Sequence, residues 1–150
     1  MRTIQGTFFE SKVRREALTE DGTQAKINSL YVIDAMSFSE CEARVTDFVA
    51  QYANGDFEVL TETRAPYKEI IFAEGCELWY RVKVAFITLN EKTGKQKKTK
   101  EAYLVQADTI DGAKKNFDEM MKGSVIDYVI EGIHETAIED IVEREVNNGE

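Results

Sequence analysis

The chain has 150 residues, 43% of them hydrophobic and 31% charged, which is the composition of a soluble globular domain with a core of ordinary size. The net charge of −9 and pI of about 4.8 repel phosphate backbones and disfavour non-specific nucleic-acid binding. No apolar run is long enough to span a membrane, and Met1–Gln5 lacks the apolar stretch of a signal peptide, so the expected location is the cytoplasm.

Taken in chain order, the first strand contains Phe9, Ser11 and Val13 on one face and Phe8, Glu10 and Lys12 on the other. Thr19-Glu20-Asp21-Gly22 is a hairpin turn, and the returning strand ends at Ala35. Ser37 is placed as a helix N-cap, with Glu40 at capping-box spacing. Cys41, Val45, Phe48, Val49 and Tyr52 then share one helical face, which predicts Cys41 as a buried free thiol. Gly55 lies beyond the helix, where a left-handed residue is often needed. A third strand follows near Phe57–Thr63 and is stopped by Pro66. The apolar segment 67–72 is expected to add an edge strand or a short helical turn.

The same series then recurs. Phe9–Val13 matches Tyr80–Val84, 71 residues on, and Leu30–Ala35 matches Ala102–Ala107, 72 residues on. Ser37 falls on Thr109, and the helical set Cys41, Val45, Phe48, Val49 falls on Ala113, Phe117, Met120, Met121. Ile70-Ile71 falls on Ile141-Val142, in a second apolar tail at 138–142. The one-residue change in offset sits in a turn, Asn90–Gly94, where insertions are tolerated. These matches predict an α+β chain built as a tandem pseudo-two-fold repeat of ββαβ units, about 6–74 and 76–143, with an acidic tail at 144–150 whose end, 146–150, is expected to fray. Joined edge to edge, the copies make one mostly antiparallel six-stranded sheet in a single domain, with both helices on one face.

Chemistry-bearing motifs are few. His134 is the only histidine, and the sequence has no glycine-rich phosphate loop, nucleophile elbow or Cys-x-x-Cys. No metal site, cofactor or catalytic residue is expected. What stands out is the sheet face away from the helices, with Phe8, Lys12, Trp79, Arg81 and Lys83. Trp79, Arg81 and Lys83 alternate with Tyr80, Val82 and Val84 of the core face. A second feature is the hairpin 92–100, with five lysines in nine residues, Lys95, Lys97 and Lys98 among them. The first copy has only Lys26 there, so folding does not require that charge.

Two further stretches, Glu40-Cys41-Glu42 and Arg64-Ala65-Pro66-Tyr67, carry a resemblance. The chain resembles, from Phe8 to Val142, a family of domains of about 150 residues and unknown function found in Bacteroidota and their phages. The shared features are Phe9-Glu10-x-Lys12-Val13, Tyr31-Val32-Ile33-x-Ala35, a Glu-Ala-Glu run with Cys41 in place of alanine, and Glu135–Asp140. Pro66-Tyr67 stands where the family has Arg-Tyr, so the arginine is lost unless Arg64 takes its place. The resemblance implies a phage or mobile-element protein acting inside a bacterium, and brings no activity.

The expected function is non-catalytic: surface contact with a macromolecular partner, a protein above all. The contact residues would be Phe8, Lys12, Tyr67, Trp79, Arg81, Lys83, Lys95, Lys97 and Lys98. One alternative is a protein that binds or sequesters a small nucleotide signal. Another is a single-strand nucleic-acid accessory using lysines and aromatics, which the charge disfavours. A homodimer is expected if Phe8 and Trp79 are exposed.

Overall fold

A computed structural model describes residues 1–53 and 55–144. It is an α+β protein with nine strands and two helices among those residues. The elements are β1 (Arg2–Gln5), β2 (Phe8–Leu18), β3 (Gln24–Asp34), α1 (Phe38–Tyr52), β4 (Phe57–Ala65), β5 (Tyr67–Phe72), β6 (Leu78–Leu89), β7 (Gln96–Ala107), α2 (Ile110–Met120), β8 (Asp127–Glu135) and β9 (Ile138–Val142). No helix is long and apolar enough to cross a membrane among the described residues.

The strands form two sheets rather than the single six-stranded sheet expected from the sequence. One has the order β4-β2-β3-β9 and the other β1-β5-β7-β6-β8. The chain divides accordingly into two compact units, residues 6–65 with 137–150, and residues 1–5 with 66–136. The reason lies in the two apolar tails. Each tail lies parallel to the second strand of the hairpin in the other half of the sequence, β9 on β3 and β5 on β7. Ile70, Ile71, Ile138, Ile141 and Val142 are all buried there. Those hairpin edges are therefore taken and are not open for joining the halves. The short β1, unforeseen in the sequence, pairs antiparallel with the outer side of β5.

Each helix covers its own sheet. Cys41, Val45 and Val49 of α1 pack on Phe9, Val13, Tyr31, Ile33 and Val142. Ala113 and Phe117 of α2 pack on Ile71, Tyr80, Val82, Val84, Tyr103 and Val105. This is the face that strand parity predicts. The helix starts are also as expected: Ser37 Oγ accepts the Glu40 amide at 3.1 Å, and Thr109 Oγ1 accepts the Gly112 amide at 2.9 Å. Each such cap is worth about 1 kcal/mol. The hairpin turns place Gly22 at φ 83° and Gly94 at φ 70°, where a side chain would be strained. Gly55 does not adopt that conformation; α1 ends instead at Ala53, in extended backbone, whose amide donates to Val49 O at 2.8 Å.

The acidic C-terminal tail expected from Arg144 onward lies outside the described residues beyond Arg144 itself.

Candidate functional site

The second sheet face does not offer the aromatic surface expected of it. Phe8 is 1% exposed and Trp79 3% exposed. Both point away from the helices, as parity requires, but neither is available to an outside partner. Trp79 packs edge-on against Phe72, with ring centroids 5.4 Å apart. Tyr67 is also buried. The exposure argument for a homodimer falls with Phe8 and Trp79.

The cationic residues of that face fare differently. In the unit of residues 1–5 and 66–136, Arg81, Lys83 and Lys100 line an open concavity of about 420 Å³ with Pro66, Glu101 and Glu131. The ladder explains the shape. Lys83 stands opposite Ala102 on one side and Gly132 on the other, so small residues flank it. The β6–β8 register slips by one residue between Lys83 and Val84, and the extra residue is Glu131. Arg81 is braced by Tyr67: its Nε donates to the phenol oxygen at 3.4 Å, and the guanidinium lies 5.4 Å from the ring centroid. Lys100 and Lys98 stand opposite Ala85 and Ile87, and period two puts all four on the face of Lys83. His134, directly opposite Arg81, is exposed on the same face.

Thus Arg81, Lys83 and Lys98 are brought to one surface, over the buried Tyr67. Lys97, opposite Thr88, projects from the other face, and Lys95 belongs to the turn, its amide donating to Thr93 Oγ1 at 3.4 Å. Lys12 is exposed but belongs to the other unit. Lys100, one of the five lysines of the 92–100 hairpin, was not among the expected contact residues, although two-residue alternation from Lys98 puts it on the same face.

In the unit of residues 6–65 and 137–150, the acidic run at the start of α1 has a structural role. Glu40 accepts the Met36 amide at 3.1 Å and pairs with Arg44 at 2.8 Å, and these hold its carboxyl below the usual range. Asp34, at the end of β3, lies 3.8 Å from Arg144. Burial raises the Asp34 carboxyl, and Arg144 and Arg44 oppose that rise.

A small polar cluster lies beneath α1; strand parity puts Ser11 on the face of Phe9 and Val13, but its pairing with Glu62 was not expected. Ser11 and Glu62 stand opposite each other on β2 and β4. Ser11 Oγ and Glu62 Oε1 are buried and have no hydrogen-bond partner among the described residues. Burial, then Glu62 and Glu42, pushes the Cys41 thiol up to about 11, so it is an inert thiol at neutral pH. The corresponding residues of the other unit are Val82, Ala113 and Ile133, all apolar, so the polar set is not a requirement of folding.

Replacing Ser11→Val together with Glu62→Ile is therefore expected to stabilise the protein at neutral pH by about 1–3 kcal/mol. Burial, then Glu42, raises the Glu62 carboxyl, so the folded chain holds that proton more tightly than the unfolded chain. The stability associated with Glu62 is then full below the ordinary carboxylate range and is lost as pH climbs through the raised value. The gain should shrink between neutral pH and about pH 4. Urea melts of both proteins at the two pH values check this; a gain independent of pH would contradict it.

No group of three or more His, Cys, Asp or Glu side chains is placed to hold a metal ion among the described residues. A family model described as a domain of unknown function (DUF4494) matches residues 7–144. No curated protein and no solved structure matches the chain.

Proposed function

The chain belongs to the DUF4494 family of domains of unknown function, and from that premise we propose a non-catalytic binding protein that works by surface contact with an acidic macromolecular partner, a protein above all. The observation that carries this is the gathering of Arg81, Lys83, Lys98 and Lys100 on one face of β6 and β7, in a chain whose net charge is −9. A local cationic surface on an acidic body selects acidic partners by charge. The burial of Trp79 takes away the stacking platform that a single nucleic-acid strand would use, which favours a protein partner. A phage or mobile-element accessory in a bacterial cytoplasm is the setting we propose.

A second reading, a small nucleotide signal as ligand, draws on the same concavity. Its 420 Å³ lies within the usual range of ligand pockets, and cations at its rim suit phosphates.

The test is a pull-down from host cells with the native chain and with Lys83→Glu/Lys98→Glu/Lys100→Glu. These lysines are exposed, so the triple variant should fold normally. The expected result is a specific protein retained by the native chain and lost with the variant. The same partner retained by both would refute the surface, and a nucleotide raising the melting temperature of the native chain alone would favour the second reading.

A further inference from the structure

The sheet faces turned away from the helices match in register but not in chemistry. In the unit of residues 6–65 and 137–150, Arg14 stands between Asn28 and Glu58, and Lys26 stands opposite Glu16. In the unit of residues 1–5 and 66–136, the same places hold Ala85 between Lys100 and Val129, and Lys98 opposite Ile87. The register slips mark the equivalence. One ladder slips just before Val13 and the other just before Val84, and Arg14 and Ala85 are the next residues. Where the first unit sets Glu16 and Glu58, the second sets Ile87 and Val129. Neighbouring strand residues of opposite charge stabilise a sheet, so this exchange gives up a favourable pairing. Folding does not call for aliphatic residues there, since the other unit does without them.

The resulting surface is amphipathic. Val129 is 50% exposed and Ile87 half-buried. The two lie on a diagonal across β6 and β8, about 7–8 Å apart in the backbone, so one aliphatic group can touch both. Lys98 and Lys100 border them on β7, both exposed and both opposite apolar residues of β6. The acids of this face lie toward β8: Asp127 opposite Ile87, and Glu131 at the slip beside Lys83. Glu101, opposite Val84, turns to the helix side. Four cations, Arg81, Lys83, Lys98 and Lys100, thus face two acids, and the cations nearest the aliphatic strip on β7 are set away from both.

We propose that this strip receives an aliphatic side chain flanked by acidic ones, so that the partner's segment is amphipathic as well as acidic. The aliphatic group rests on Ile87 and Val129, and its acidic neighbours meet Lys98 and Lys100. This rests on the cationic surface of the proposed function and adds the apolar half of its specificity, with Val129 as the residue that reads it.

The probe is a pair of capped, labelled peptides of equal charge, Glu-Glu-Leu-Glu-Glu and Glu-Glu-Ser-Glu-Glu, titrated with the full chain at low salt and followed by fluorescence anisotropy. The leucine peptide should bind about tenfold more tightly. Val129→Ser should erase the difference and Val129→Leu should keep it; both change an exposed side chain and should fold normally. Equal binding of the two peptides, or a preference for leucine that survives Val129→Ser, would overturn the proposal while leaving the cationic surface standing. No binding of either peptide would overturn both. Light scattering that shows a dimer of the native chain and a monomer of Val129→Ser would also overturn it, since the strip would then be covered by a second copy.

Discussion

A fragment ending at residue 74 is expected to show no cooperative unfolding transition. It retains β2, β3, α1 and β4 but lacks β9, which supplies Val142 to the core under α1. Ile138, Ile141 and Val142 are all buried, and each such side chain contributes about 1.5–3 kcal/mol. Their sum is comparable to the entire stability of a small domain, about 5–15 kcal/mol. The fragment also keeps β5, an apolar strand whose parallel partner β7 has been removed. Circular dichroism during urea titration checks this. Mixing fragments 1–74 and 75–150 should restore the transition, since each then supplies the strand the other lacks. A fragment 1–74 that melts cooperatively alone would contradict the exchange of β5 and β9.

The second large effect concerns Phe117. Its ring is fully buried and meets Tyr103 edge-on at 5.0 Å and Tyr128 edge-on at 5.4 Å. Tyr128 in turn donates its hydroxyl to Asp118 at 2.7 Å, which ties β8 to α2. Phe117→Ala should therefore cost about 3–5 kcal/mol, the transfer term plus the cavity left under α2. Denaturant midpoints with an unchanged slope would verify it. A loss below about 1 kcal/mol would mean that the core beneath α2 collapses freely around the gap.

Much of the fold is legible in the sequence because it is local. Alternation at Tyr80, Val82 and Val84, capping at Ser37 and Thr109, and the glycines of the two hairpin turns each follow from a few neighbouring residues. The division into two sheets is not local. Period two tells which face of a strand is buried, but not which strand lies beside it. The segments 67–72 and 138–142 carry no mark that they pair in parallel with the opposite half of the chain. The candidate site was half legible for the same reason. Parity correctly turned Trp79, Arg81 and Lys83 away from α2, but a large aromatic on that face reads equally as exposed or covered. Alternation put Ser11 on the face of Phe9 and Val13, but Glu62 went unnoticed, because an isolated charged residue in a strand ordinarily faces water and period two does not tell which strand lies opposite.

The most direct test of the proposed cationic surface is a backbone amide NMR titration with a short poly-glutamate peptide at low salt. The predicted result is a set of shifts centred on Lys83, Lys98, Lys100 and Gly132, weakened by salt and absent from the triple charge-reversal variant. No shifts, or shifts confined to the unit that holds Lys12 and Lys26, would contradict it.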